Sequence, residues 1–250
     1  MAKKSSDLIV GLHPLEEAID SGKTINKIMV KKGIGPNVND VLKKARTSGI
    51  FIQYVPVEKL NRVYRGNHQG IIAFASPVEY HEISSLVMTL FENGKTPFIV
   101  VLDSITDVRN FGAIARTAEC AGVDAIVIPS RGSVFISDDA IKTSAGALHK
   151  IPVCKVDDLK NTVLYLKQSG ISVVSVSEKA SEFYFQCSNE FNSPIALIMG
   201  SEESGISDEL IRISDKMVKI PMVGTIDSLN VGVAFGIVAF EVTKVRQQTE

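Results

Sequence analysis

FIVVLDSITDVRNFGAIARTAECAGVDAIVIPS, residues 98–130, decides the fold. Its opening is a near-continuous apolar run, as in a strand covered on both faces. A polar loop follows. Ala113, Ile114, Thr117, Ala118 and Ala121 then fall on one side of a helix that Gly122 ends. DAIVIPS is a second apolar strand. Strand, helix and strand in succession make a crossover unit, the element from which parallel sheets are built. Downstream, SDDAIKTSAGAL offers Ser137 as a helix cap. IPVCKV, DDLKNTVLYLKQSG and ISVVSVS repeat strand, helix and strand. PIALIMGS is another buried strand, SDELIRISD a helix and KMVKIPM a short strand. SLNVGVAFGIVAFEVTKVRQQ closes the chain as a long apolar helix. The class is parallel α/β, with no short-period repeat and no low-complexity tract.

Upstream, residues 1–80 read as a smaller α/β unit. GLHPLEEAIDSG is a helix with Pro14 near its start and Gly22 after its end. INKIMVKKG is a strand, NVNDVLKKARTSG a helix stopped at Gly49, IFIQYVP a strand, PVEKLNRVYRG a short helix and GIIAFASPV a strand. The mixed segment YHEISSLVMTLFENGKTP predicts a linker with a helix. The expected division is a first domain over 1–80, a linker over 81–96 and a second domain over 97–250.

The chain has 250 residues, 45% hydrophobic and 22% charged, enough for a packed core and unlike a disordered chain. No apolar run approaches the ~18 residues of a membrane span, and MAKKSSDLIVGLHP has no apolar signal core. A cytoplasmic location away from membranes is the expectation. Cys120, Cys154 and Cys187 are scattered without a CxxC, which argues against zinc or a disulfide framework and for buried small hydrophobes. The net charge of −1 hides an asymmetry: residues 1–80 carry 12 Lys+Arg against 7 Asp+Glu, and the remainder 15 against 21. The basic part is either a polyanion contact or a solvated face. Its candidate phosphate contacts are Lys31, Lys32, Lys43, Lys44, Arg46, Arg62 and Arg65. His13 and His68 flank this region and read as loop or core histidines; His149 has no partner motif.

Three stretches carry residue types that packing alone does not ask for. In LDSITDVRNFGAIARTAEC, residues 102–120, a loop at the end of a buried strand meets a helix for which Asn110 is a candidate cap. Gly112 permits close approach, and Arg116 projects from an otherwise small, apolar helix. Arg116 serves either an interhelical ion pair or phosphate and ribose engagement by its rigid fork of donors. In IALIMGSEESGIS, residues 195–207, two glycines bracket two carboxylates directly off a strand end. That is either a tight strand-to-helix loop or a turn offering backbone groups to a ligand; it matches neither a Walker A loop nor GxGxxG. In VKIPMVGTIDSLNVGVAFGIVAFEV, residues 218–242, Ser228, Leu229 and Asn230 open the apolar helix. A helix apolar all round must be covered on most sides, here by its own sheet and a partner subunit, with Gly232, Ala234 and Gly236 allowing close approach.

In this order and spacing the three stretches resemble the motifs of the SpoU (TrmH-like) branch of the SPOUT methyltransferases, over residues 98–250. The first 80 residues, through GLHPLEEAI and GNHQGIIAF, resemble the ribosomal-protein-like (L30e-like) substrate-binding domain of one subgroup. That subgroup includes bacterial enzymes that methylate a guanosine 2′-hydroxyl of 23S ribosomal RNA. The resemblance implies an S-adenosylmethionine-dependent RNA 2′-O-ribose methyltransferase, a homodimer with a C-terminal trefoil knot and no metal. Gly200, Ile220 and Leu229 would contact the methyl donor largely through backbone groups, with Met199, Ser228, Asn230 and Ser144 in the second rank. Asn110, Arg116, Glu202, Ser228 and Asn230 map onto the polar active-site positions. Ser201 stands where Asn is common in the family. A transfer-RNA ribose methyltransferase, a non-catalytic RNA-binding assembly factor and a small-molecule α/β enzyme are the competing readings. The last leaves the basic first domain unexplained.

Overall fold

The computed structural model describes residues 8–248. They fall into two compact units that part between Glu79 and Tyr80.

The first unit runs β1 (Leu8–Val10), α1 (Leu12–Asp20), β2 (Ile25–Lys31), α2 (Asn39–Thr47), β3 (Ile52–Val55), α3 (Val57–Val63) and β4 (Ile71–Ala75). Its four strands lie in the order β1-β4-β2-β3, with β2 and β3 parallel and β4 antiparallel to β1 and β2. Leu15 and Ala18 of α1 and Val41, Leu42 and Ala45 of α2 pack with Ile28, Val30, Ile71 and Ala73 of the sheet. This is the helical spacing the sequence showed, placed over strands. β1 was not foreseen: three residues are too few to display an alternation.

The second unit runs α4 (Ile83–Glu92), β5 (Phe98–Asp103), α5 (Val108–Cys120), β6 (Ala125–Pro129), α6 (Asp138–Thr143), β7 (Val153–Val156), α7 (Leu159–Gln168), β8 (Ser172–Val176), β9 (Glu182–Phe183), α8 (Ser188–Phe191), β10 (Ile195–Gly200), α9 (Asp208–Ile213), β11 (Lys216–Lys219) and α10 (Val231–Gln247). The sheet order is β7-β6-β5-β10-β8-β11-β9, every neighbouring pair parallel. All six residues of β5 are buried, as a strand covered by helices on both faces requires.

Residues 81–96, read from sequence as a linker with a helix, hold that helix as α4. Ile83 and Val87 join the core of the second unit beside Ile99, Val101 and Val127, and Tyr80 bridges Val153. Glu82 caps the helix, its carboxylate accepting from the backbone N–H groups of Ser84 and Ser85. The Ser84 hydroxyl and these N–H groups hold its pKa down at about 2.

The far end of α10 is fixed by a residue that no sequence motif announced. The Arg246 guanidinium donates to the carbonyls of Thr96, Pro97, Phe191 and Ser193 at 2.8 to 3.2 Å, which ties the helix to the chain entering β5 and β10. Its cost is desolvation, which lowers the Arg246 pKa. Cys154 and Cys187 are buried, as expected, and burial pushes the Cys154 thiol up to about 12. Cys120 is exposed instead, because it lies on the outer ridge of α5 with Arg116.

Candidate active site

β5, β10 and β8 are adjacent and parallel, so their carboxyl ends open side by side, where parallel sheets place ligands. The turn leaving β10 requires glycine at its first position. A Cβ on Gly200 would lie 2.1 Å from the Gly205 carbonyl carbon and 2.2 Å from the Ile206 nitrogen. Gly205 adopts φ +65 and donates its N–H to the Ser201 carbonyl at 2.9 Å. Ser201 closes the turn with its side chain as well, accepting from the Ser204 N–H at 3.1 Å and lying 2.7 Å from the Ser204 hydroxyl. That local use suits a serine. Asp103, the buried last residue of β5, accepts from the Ser207 N–H at 2.8 Å and so pins the far side of the turn.

This turn, the loop after β11 and the start of α10 border a cleft that is open to solvent. Met199, Gly200, Ile220, Ser228 and Leu229 all line it. Five of the seven residues named for donor contact therefore converge, from segments up to thirty positions apart. Asn230 follows Leu229 but does not line the cleft. Ser144 is not brought there either. It is fully buried, and its hydroxyl donates to the Ile141 carbonyl at 2.9 Å. The helix before it packs on α5 so closely that a Cβ on Gly112 would meet Thr143 Oγ1 at 2.2 Å.

Beside Leu229, three polar candidates bond one another. Asn230 Nδ2 donates to Glu202 Oε1 at 2.7 Å and to Asn110 Oδ1 at 2.9 Å; Asn110 Nδ2 donates to Glu202 Oε1 at 3.2 Å. Asn230 Oδ1 accepts from the Gly232 N–H at 3.0 Å, which caps α10. The cap fixes which end of the amide faces the cluster, since the oxygen is committed to the helix and only the NH₂ can turn outward. One Glu202 oxygen thus takes both amides, and Oε2 receives no bond from a described residue.

Asn110 does not cap α5, contrary to the sequence reading. Asp107 does, accepting from the Arg109 and Asn110 N–H groups at 2.9 and 2.8 Å. A carboxylate is the stronger partner for the positive end of a helix. The exchange releases the Asn110 side chain to the cluster. Gly232 and Gly236 face α5, near the Ala113 and Thr117 side chains at 3.2 and 3.6 Å from an added Cβ. Their small size therefore serves the packing of α10 on its own chain, while Ala234 lines the cleft.

Arg116 is exposed and has no hydrogen bond or ion pair with a described residue, so the salt-bridge reading has no support. It shares the outer ridge of α5 with Arg109, Ala113 and Cys120, all exposed. Alongside, α10 leaves Val233 52% and Phe240 49% exposed.

The seven basic candidates of the first unit are all exposed. Lys44 is paired with Glu16 at 3.2 Å and Asp20 at 2.9 Å, and Arg46 donates to the Tyr54 hydroxyl at 2.8 Å. His68 is buried, His13 and His149 exposed. The sequence reading missed Ser177, Glu178, Met222 and Asp227 in the cleft wall and Asp103 behind it. Only Asp103 left a signal, an acid ending an apolar strand. Among the described residues no helix is long and apolar enough to cross a membrane, and no three His, Cys, Asp or Glu side chains group as metal ligands would.

Two family models match the chain: the SpoU rRNA methylase family over residues 97–240 and the RNA 2′-O ribose methyltransferase substrate-binding domain over 8–81. A relative from Staphylococcus haemolyticus, named "Putative TrmH family tRNA/rRNA methyltransferase", is 36% identical over 242 residues, 96% of each chain. Among solved structures, the AdoMet-bound rRNA methyltransferase of Sinorhizobium meliloti is 24% identical with a TM-score of 0.59, covering 95% of this chain and 87% of its own. The TrmH/SpoU tRNA modifying enzyme of A. aeolicus is 28% identical with a TM-score of 0.56, covering 67% of this chain and 85% of its own.

Proposed function

Because the chain belongs to the SpoU rRNA methylase family, we propose that it is an S-adenosylmethionine-dependent RNA 2′-O-ribose methyltransferase whose target is a guanosine of 23S ribosomal RNA. The observation that carries the reading is the convergence of Gly200, Ile220 and Leu229 on one cleft beside the Asn110–Glu202–Asn230 cluster.

The cleft fits the donor chemically. Met199, Ile220, Leu229 and Val231 offer apolar surface for a purine, and Gly200 and Gly205 bring backbone without a side chain to the cleft wall. A Cβ on Gly205 would meet nothing within 4 Å, so the space there is open. Glu178 and Asp227 line the cleft and no Lys or Arg does, which suits a ligand with ammonium and sulfonium charges. When bound, S-adenosylmethionine supplies a methyl group already activated by its sulfonium.

The protein's part is alignment and charge. Asn110 and Asn230 hold Glu202 by one oxygen, leaving Oε2 to accept a hydrogen bond from the target 2′-hydroxyl, aim that oxygen at the cleft and take up its proton as the oxygen gains the methyl group. Holding the reactants in line contributes several kcal/mol to such a transfer. Arg116 presents a rigid fork of donors and acts on the target phosphate and the developing alkoxide as an electrostatic anchor. It reaches a reacting nucleotide across a homodimer formed on the α5–α10 face, whose exposed Val233 and Phe240 support such a partner. The C-terminal segment forms the trefoil knot of the family. The RNA contacts come from the basic first unit, and the enzyme is cytoplasmic.

Ribosomal RNA is favoured because the likeness to the S. meliloti rRNA enzyme spans both units, whereas that to the A. aeolicus tRNA enzyme spans two thirds of the chain. Guanosine rests on the resemblance of the motifs. Incubation of the protein with labelled donor and unmodified ribosomal RNA should yield one alkali-resistant guanosine in 23S RNA. Label confined to transfer RNA would replace the substrate, and failure to bind the donor in a calorimeter would end the enzyme reading.

A further inference from the structure

The basic residues of the first unit divide into two groups with different surroundings. On α2, Lys43, Lys44 and Arg46 share their surface with acids: Lys44 is held by Glu16 and Asp20, and Asp40 lies in the same helix. The second group gathers at one end of the sheet. β2 and β3 run parallel and β4 antiparallel to them, so the end of β2, the end of β3 and the start of β4 coincide. The segments meeting there carry Lys31, Lys32, Lys59, Arg62 and Arg65 against a single acid, Glu58. None of the five cations pairs with a described residue.

The same end carries an aromatic face on a fixed support. Tyr64 is 38% exposed. Its ring lies over Gly66, where a Cβ would come within 2.5 Å of the ring. Beneath, the Gly70 N–H donates to His68 Nδ1 at 2.9 Å, which leaves Nε2–H to donate to Asn61 Oδ1 at 2.9 Å. His68 thereby ties α3 to the loop before β4. Gln69, at φ +51, accepts from the Leu12 N–H at 3.1 Å and ties that loop to α1. The Lys31 N–H donates to the Gly70 carbonyl at 2.8 Å. Every turn that presents a cation or the ring is therefore anchored by a second element.

We propose that this sheet end, and not the α2 face, is the RNA contact of the first unit: Tyr64 stacks on an unpaired base while Arg62, Arg65, Lys31 and Lys32 neutralise the flanking phosphates. A flat exposed ring among unpaired cations fits a splayed-out base, the part of folded RNA that stacking can read. A duplex alone would need the cations and leave the ring idle. The proposal rests on the RNA-methyltransferase reading, which donor binding and methyl transfer by the unaltered protein test separately.

The experiment uses the full chain, with fluorescence anisotropy on a stem-loop RNA with an unpaired loop and on a blunt duplex of equal length, across a salt series. Tyr64→Ala should weaken stem-loop binding about tenfold and Tyr64→Phe by less than about twofold. Arg62→Ala with Arg65→Ala should reduce the slope of log affinity against log salt by about 1.4 to 1.8, as two lost phosphate contacts require. Lys43→Ala with Lys44→Ala should stay within about twofold of the unaltered protein. Unchanged donor calorimetry and an unchanged melting temperature would confirm that the variants fold. The proposal is overturned if Tyr64→Ala binds as the unaltered protein does, if the α2 pair costs as much as the arginine pair, or if duplex and stem-loop bind equally well.

Discussion

At their N-terminal ends, α5 and α10 present Asn110 and Asn230, bonded to each other and to Glu202 within one chain. One to three turns further on, the same two helices present Arg116, Val233 and Phe240, exposed and without a described partner for the charge. The first region is complete as it stands: each amide has its acceptor, and the helix cap fixes its orientation. The second has the make-up of half an interface, with apolar area beside a guanidinium that nothing orients. A lone chain therefore already positions Glu202, whereas the arginine gains a fixed place only when something covers the helix pair.

The largest effect should come from the uncovered half. Arg116→Ala should lower methyl transfer by about a thousandfold, the scale for removing one aligned donor from a developing oxyanion. Donor affinity should move by no more than a few fold. Single-turnover transfer and calorimetry measure the two. Turnover near the unaltered level would show that the charge is surface decoration and dissolve the contrast.

Val233→Glu combined with Phe240→Glu tests whether the face is an interface. Light scattering should show the mass of the unaltered protein halved, and turnover should fall by tenfold or more while each chain still binds donor. A monomeric unaltered protein that still turns over would place Arg116 in service of its own cleft.

For the completed half, Asn230→Ala removes a helix cap and two cluster bonds together. Its cost should be about 1 kcal/mol of stability and ten- to a hundredfold in turnover. Asn230→Asp keeps the oxygen that accepts from the Gly232 N–H but replaces the donating NH₂ with an oxygen facing Glu202. Stability should recover toward the unaltered value and turnover should not. Denaturant melts and kinetics on the pair separate the cap from the cluster. Full activity in Asn230→Asp would mean that the amide bonds to Glu202 and Asn110 carry nothing.

The contrast also marks how much could be read from sequence. Only part of the cleft was legible from pattern: Gly200 ends a buried apolar strand whose end a parallel sheet must gather, whereas Ile220 and Leu229 were named for the donor only through the resemblance. Which polar residues would meet was legible only through the resemblance, and their mutual bonds were not. Asp107 and Asn110 are both competent caps three positions apart, and propensity alone does not choose between them; the structure gives the cap to the carboxylate. Ser144 lay in a plausible turn yet is consumed by packing under α5. The helix within residues 81–96 was legible in a mixed segment ending in Asn-Gly and Pro signals, but its packing on the core of the second unit and its Glu82 cap were not. Arg246 and Glu178 left no pattern, since a single charge near a chain end or in a loop has no period to betray it.

The smallest effect lies in the cleft itself. Glu178 and Asp227 are exposed acids in a wall without a basic residue, so water screens them and each contributes little. Their shared sign still favours the methyl donor over its product, because transfer removes the sulfonium charge while leaving the rest of the molecule alike. Glu178→Gln with Asp227→Asn should therefore weaken donor binding by about two- to fivefold, as expected of screened charges at such range, and leave product binding nearly unchanged. The gap between the two affinities should narrow further as salt rises in the unaltered protein and stay flat in the double variant. Equal losses for donor and product would mean that the carboxylates act as hydrogen-bond acceptors for a part common to both, such as the ribose diol, and not through charge.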